Sequence, residues 1–312
     1  MNTPGSVCTC REALVWASSL LLQQVLNPKV AEWVLMHVLD VDRASFLNML
    51  DHPLTETQRR SFGERIKRIL EGEPYQYVLG TAEFYGREFL VNRDVLIPRP
   101  ETELLVEEVL KLCQAASHPL KVVDVGTGSG AIAITLALEM GAAVCSQEVE
   151  NEDRYLSDRE QQGLEPVILA VDISTAALRV AQTNAKRMQA KVTFIHSDWL
   201  QALAEAGQRV DLIVSNPPYV PPDERHTLDS AVVDYEPHLA LFAENDGLYS
   251  YQQIVRQSLS VLNRPGVLAF EVGQGQAEQV AAIIRTAYPQ ARCLIKPDLQ
   301  GIERIVVALI ER

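Results

Sequence analysis

From residue 11 to 73 the apolar positions recur every three or four residues. "REALVWASSLLLQQVL", "AEWVLMHVLD" and "ASFLNMLD" each lay an apolar stripe along one helical face. "TETQRRSFGERIKRILEG" adds end signals: Thr55 and Gln58 have capping-box spacing, Gly72 closes the run, and Pro74 lies beyond. A small helical bundle is predicted over residues 1–74. Over 75–97 the pattern shortens to "YQYVLG", "AEFYG" and "REFLVN", aromatic or β-branched runs broken by Gly80 and Gly86. These predict a linking β-hairpin. "VLIPRPETELLVEEVL" then opens a helix, with Pro100 near its first turn and Glu101 and Glu103 at the positive end of its dipole.

From residue 120 onward, strand and helix patterns alternate. Seven strands are predicted, at 121–125, 167–172, 191–196, 210–215, 266–272, 292–296 and 303–310. Helices fall near 130–141, 174–189, 247–263 and 276–288. The apolar strand runs are near-continuous, as in parallel strands covered on both faces. The fold class is therefore α/β: an open, mostly parallel sheet in a domain spanning 98–312. Its ligand is expected beyond the carboxyl ends of the strands, at the switch point of the strand order. Residues 145–165 break the pattern with seven acids, two arginines and no apolar period. They read as a surface insertion that projects away from the cleft.

Length and composition narrow the function classes. At 312 residues and 47% hydrophobic, the chain is long enough for about two domains and a real core. A net charge of −13 gives no sign of the basic surface that grips nucleic-acid phosphates. Five cysteines, odd in number and scattered, do not make a disulfide framework, and Cys8-x-Cys10 has no second pair to complete a zinc site. No metal is expected. The apolar run 13–22 has only Arg11 before it and no cleavage site after it, and no stretch approaches the roughly 18–20 apolar residues of a membrane helix. A cytoplasmic, monomeric protein away from membranes is the expectation.

Candidate chemistry clusters at predicted strand ends. "VVDVGTGSGAIAI" ends the first sheet strand, and Gly126, Gly128 and Gly130 let the backbone turn sharply and a ligand approach it. Alone this loop also passes as a dinucleotide fingerprint. The second strand ends in Asp172, 46 residues past Gly126. The 21 residues of segment 145–165 lie inside that gap and leave about 25, close to the roughly 20 at which an acid meets ribose hydroxyls. Asp172 could equally cap the helix that starts near Ser174. The third strand ends "HSDWL", where Trp199 either borders a purine or belongs to the core. The fourth runs "DLIVSNPPYV". Proline has no N–H and cannot extend a ladder, so a stiff loop begins at Asn216. The side-chain oxygen of Asn216 and the carbonyl of Pro217 could each accept one N–H of a planar –NH2 group, while Tyr219 covers its flat face.

Taken together, these elements resemble an S-adenosylmethionine-dependent methyltransferase of the amino-methylating kind, and more closely the bacterial release-factor glutamine methyltransferases (HemK or PrmC). The resemblance is carried by "EPYQYVLGTAEFYGREFLVNRDVLIPRPETE" at 73–103, "DVGTGSGAIAI" at 124–134, "AVDIS" at 170–174, "HSDWL" at 196–200 and "SNPPYV" at 215–220. Further on come "DYEPHLALFAENDGL" at 234–248, "LAFEVGQGQ" at 268–276 and "GIERIVVA" at 301–308. It implies a Rossmann-like methyltransferase sheet with an amino-terminal helical domain that grips the substrate protein. It also implies that Gly126, Thr127, Gly128, Ser129 and Gly130 cradle the cofactor, Asp172 binds its ribose, Trp199 borders its adenine, and Asn216 faces it. Asn216, Pro217, Pro218 and Tyr219 would hold the substrate glutamine, with Asn216 and Pro217 catalytic. That glutamine would belong to the Gly-Gly-Gln loop of a peptide chain release factor.

Other readings are a ribosomal-protein glutamine methyltransferase, a nucleic-acid amino methyltransferase, an NAD-dependent oxidoreductase and a non-catalytic module that keeps the fold. The net charge opposes a nucleic-acid substrate. Hydride transfer gives no reason for the Asn-Pro-Pro-Tyr loop, and intact glycines disfavour a silent module. Glu236 and Pro237, in "DYEP", are expected to shape the substrate loop, with no individual role assigned to either.

Overall fold

The computed structural model describes residues 8–116, 119–148 and 166–311. The chain divides into two compact units, one holding the chain up to Thr81 with Asp229–Tyr235, the other Ala82–Leu228 with Glu236 onward.

The first unit is helical: α1 (Cys10–Gln23), α2 (Lys29–Leu39), α3 (Arg43–Asn48), α4 (Glu56–Leu70) and α5 (Tyr75–Leu79). The expected capping box forms at α4, where Thr55 Oγ1 accepts from Gln58 N and the Gln58 side chain accepts from Thr55 N. Thr9 and Glu12 build a second one at α1. Ala17, Leu21, Val34, Leu35, Phe62 and Ile66 close the core.

The expectation of an extended "YQYVLG" is corrected here. Pro74 and Gly80 bound a single helical turn, with Gly80 at φ +80° as its left-handed cap. Val78 is buried in the helical core, so burial of one face decides over the strand preference of its aromatic neighbours. The hairpin itself is shorter, β1 (Thr81–Phe84) and β2 (Arg87–Leu90).

The second unit continues with α6 (Pro100–Gln114), β3 (Lys121–Val125), α7 (Ala131–Glu148), β4 (Val167–Asp172), α8 (Thr175–Met188), β5 (Thr193–His196), α9 (Gln201–Glu205) and β6 (Val210–Ser215). A 3₁₀ turn (Pro222–Thr227) and the short α10 (Ser230–Tyr235, part of the first unit) follow. After a second 3₁₀ turn (His238–Ala240) come α11 (Tyr249–Val261), β7 (Leu262–Glu271), α12 (Ala277–Ala287), β8 (Arg292–Pro297) and β9 (Glu303–Ile310). All seven predicted sheet strands are present. The first sheet helix runs on to Glu148 rather than stopping near 141, and the remainder of the acidic segment lies outside the described residues.

The sheet order is β5-β4-β3-β6-β7-β9-β8, and only β9 runs antiparallel to its neighbours. Alternate strand residues feed two cores. Val123, Val125, Leu169, Val171 and Ile213 pack with Tyr251, Ile254 and Val280. Val122, Ile168, Ala170, Leu212 and Val214 pack with Leu105, Val109, Ile134 and the hairpin's Phe84 and Phe89. Two buried faces explain why the strands read as unbroken apolar runs. The chain leaves β3 toward β4 and β5, then returns to β6 on the other side. The switch point therefore lies between the carboxyl ends of β3 and β6, where Ser215 Oγ donates to the Val125 carbonyl at 2.6 Å.

Candidate active site

The loop after β3 divides its residues between a cavity and the packing. Gly126 (φ +74°) and Gly128 (φ +55°) line the cavity, and a Cβ at either would meet nothing within 4 Å. Gly130 (φ +84°) faces inward instead: a Cβ there would lie 2.7 Å from Ile134 Cδ1 and 3.2 Å from Ala181 Cβ. Its smallness lets α7 approach α8. Thr127 and Ser129 are also buried behind the wall; the Thr127 hydroxyl donates to Asp124 Oδ2 at 2.6 Å, and the Ser129 carbonyl accepts from Asn184 Nδ2. The amides of Gly126 and Thr127 both donate to the Val171 carbonyl, which ties the loop to β4.

Asp124 is fully buried, and burial pushes its carboxyl up to about 7 against the opposing hydrogen bonds from Thr127 and the Ala133 amide. A carboxyl raised above its unfolded value binds its proton more tightly in the folded state. Its stabilising contribution is therefore present at low pH and lost as pH rises to about 7. Asp124→Asn removes this titration while keeping an acceptor. The variant should gain stability relative to the parent between pH 5 and 7.5, as read by thermal unfolding at both values.

Asp172 ends β4 and also lines the cavity. Its Oδ2 accepts from Gly128 N at 2.9 Å and its Oδ1 from Ser174 N at 2.8 Å. The helix cap is Ser174, whose Oγ accepts from Ala177 N, so capping α8 is not the work of Asp172. Burial raises its carboxyl, and those two amides pull it back. Each oxygen keeps a further lone pair for an outside donor. Trp199, on the same cavity, sits at φ +52°, a costly conformation for a bulky residue that surrounding packing must hold. With Ile173, Leu239 and Tyr249 it forms an apolar wall of the same cavity, about 420 Å³ in volume.

The fourth loop closes the cavity from the β6 side. Asn216 and Pro218 line it, whereas Pro217 is buried and Tyr219 packs against the core. Burial pushes the Tyr219 hydroxyl up to about 12. The loop is clamped along its length: Ser250 Oγ donates to the Pro218 carbonyl (2.8 Å) and Gln276 Nε2 to the Tyr219 carbonyl (3.0 Å). Val220 N donates to Leu241 O, and Ala243 N to Val220 O. Among the described residues no group donates to the Pro217 carbonyl or to Asn216 Oδ1. Asn216 Nδ2 donates to Thr102 Oγ1 at 3.0 Å.

Gly247 (φ +78°) sits directly behind this loop, where a Cβ would lie 2.0 Å from the Tyr219 carbonyl oxygen and 2.6 Å from Gln276 Nε2. Gly247→Ala is therefore expected to displace the loop. Strain of this kind costs on the order of 1–3 kcal/mol. Chemical denaturation should show that loss, and steady-state assays a fall in turnover.

Several contributors carried no role in the sequence. Gln276 and Gly247 clamp the loop, and Thr102 and Glu271 stand behind Asn216. Glu236 is buried and accepts from Ile97 N (3.2 Å) and from Arg99 Nη2 (2.5 Å), which fastens the stretch before α6 to the "DYEP" turn. Glu271, an acid at a strand's carboxyl end, carried the same signal that singled out Asp172.

With this geometry in place, the chain can be set beside known proteins. Residues 12–80 match the PrmC N-terminal domain model and residues 117–294 a methyltransferase domain model. The release factor glutamine methyltransferase of Bacillus cereus is 40% identical over 302 residues, covering 96% of this chain and 99% of that protein. That of Bacillus subtilis is 38% identical, covering 97% and 99%. This chain belongs to the release factor glutamine methyltransferase family. Likeness in fold extends further, to the hMettl16 catalytic domain (TM-score 0.51, 13% identity, 81% of this chain and 82% of that one). Membership in the family makes the chain an enzyme and a methyltransferase.

Proposed function

We propose that the chain transfers a methyl group from S-adenosylmethionine to the side-chain nitrogen of the glutamine in the Gly-Gly-Gln loop of a peptide chain release factor. The observation that carries this reading is the meeting, in one cavity, of open glycines, the Asp172 carboxylate and the Asn216 carboxamide. These residues fit the cofactor. Gly126 and Gly128 leave room where a side chain would intrude, Asp172 offers spare acceptor capacity to ribose hydroxyls, and Trp199, Leu239 and Tyr249 offer an apolar wall to adenine. When bound, S-adenosylmethionine supplies a methyl group activated by a sulfonium.

The chain's own residues then address the weak partner. An amide nitrogen is a poor nucleophile because its lone pair is delocalised. Asn216 Oδ1 and the Pro217 carbonyl accept its two N–H groups, raise its electron density and steady it as it pyramidalises. Proline stiffness and the clamps from Ser250 and Gln276 keep both acceptors in place. The bound cofactor would supply the methyl, its sulfur keeping the electron pair of the broken carbon–sulfur bond as the nitrogen–carbon bond forms, and the methylated nitrogen would lose one proton to solvent.

The relatives named above are release factor methyltransferases across nearly their full length. The helical unit, matched by the PrmC N-terminal domain model, is assigned the docking of the factor. Such a substrate places the reaction in the cytoplasm; no described helix is long and apolar enough to cross a membrane. The test is a panel of release factors, ribosomal proteins, DNA and RNA incubated with methyl-labelled cofactor. Label should enter release factors. Label in another member and not in release factors would overturn the substrate assignment.

A further inference from the structure

A carboxamide has two ends of nearly the same shape and opposite hydrogen-bonding character. If Asn216 faced a substrate amide with its –NH2, two donors would meet and nothing would be held. Something must set which end faces the cavity, and the residues behind it supply the answer. Glu271 ends β7 and is 2% exposed; its Oε2 takes the Thr102 hydroxyl proton at 2.6 Å, and its main-chain carbonyl accepts from Tyr251 OH at 2.8 Å. In its ionised form a carboxylate only accepts. The single Thr102 proton is thereby committed to Glu271, and Thr102 Oγ1 has only lone pairs left to offer. It can be met only by a donor, and Asn216 Nδ2 meets it at 3.0 Å. Burial pushes the Glu271 carboxyl up to about 7, against the Thr102 hydroxyl, the charge of Arg304 on β9 and the Asn216 amide, while Glu101 on α6 raises it further; the relay is that of the anion, which prevails above about pH 7. With Nδ2 engaged on that side, Oδ1 is the end left for the cavity.

We propose that Thr102 and Glu271 are positioning residues, a two-step relay that fixes the polarity of the Asn216 carboxamide. Thr102 stands in the first turn of α6, in the "RPETE" of the stretch 73–103, while Asn216 follows β6. The relay therefore gives that stretch a task inside the methyltransferase unit: it delivers one hydroxyl to the back of the acceptor. The inference rests on the reading of Asn216 as the acceptor for the substrate amide.

The test compares Thr102→Val, Thr102→Ser, Asn216→Ala and the double variant, each with folding checked by thermal unfolding and cofactor affinity by calorimetry. Valine keeps the shape and removes the hydroxyl; serine keeps the hydroxyl. Loss of a group that orients a reacting group costs roughly 10–100-fold. Thr102→Val should lose that much kcat with KM for the release factor and cofactor affinity little changed. Thr102→Ser should recover most of it. In the Asn216→Ala background, Thr102→Val should cost little more, because there is no carboxamide left to orient.

Wild-type kcat in Thr102→Val, equal losses for valine and serine, or multiplied losses in the double variant would each overturn the relay. If Thr102→Val fails to fold, the Ser variant decides alone: near wild-type kcat supports the hydroxyl's role and a Val-like collapse rejects it. Asn216→Ala keeps the two readings apart. A steep loss there with none in Thr102→Val removes the relay only, whereas no loss in Asn216→Ala removes the acceptor reading beneath it.

Discussion

Asn216→Ala is expected to lower kcat by about 10²–10³-fold, the range seen when one fixed polar partner of a developing charge is removed. Affinity for the cofactor should stay within a few-fold. The asymmetry follows from what the side chain touches. Its Nδ2 is spent on Thr102, which on the proposed reading leaves Oδ1 as the acceptor for the substrate amide. The open glycines and Asp172 are separate elements on the β3 and β4 side of the switch point. Single-turnover methylation of a release factor, with calorimetry on the same preparation, reads both quantities. An unchanged turnover would remove Asn216 from the mechanism.

Asp172→Ala should do the reverse. Its carboxylate lines the cavity with Gly126 and Gly128, and it also organises the loop through Gly128 N and Ser174 N. A hydrogen bond to a charged group is worth about 1.5–3 kcal/mol, so the Kd for S-adenosylmethionine or its demethylated product should rise about 10–100-fold. Turnover at saturating cofactor should fall far less. A Kd equal to the parent's would contradict the ribose role.

How much of this was legible depended on whether the signal was local. The sheet was, because β3, β4 and β6 are buried on both faces and their apolar runs cannot be mistaken for half-buried strands. The capping box at Thr55 and Gln58 was local too. "YQYVLG" misled because its residue types favour strands, and only the burial of Val78 among the helices shows why it turns. Within the glycine loop, the family resemblance marked five candidates alike. Only the three-dimensional surroundings separate Gly126 and Gly128, open to the cavity, from Gly130, which is a contact between helices. The Thr102–Glu271 pair spans 169 positions of sequence, and no local pattern could join them. Gly247 likewise reads as an ordinary turn glycine until the Tyr219 carbonyl is found where its side chain would be.

The most direct measurement is a crystal structure of the chain with S-adenosylhomocysteine and a peptide carrying the Gly-Gly-Gln loop. The account predicts the glutamine nitrogen within hydrogen-bonding distance of both Asn216 Oδ1 and the Pro217 carbonyl, with Nδ2 of Asn216 still on Thr102. A glutamine bound with its nitrogen away from those two oxygens, or an Asn216 amide turned to face it with Nδ2, would contradict it.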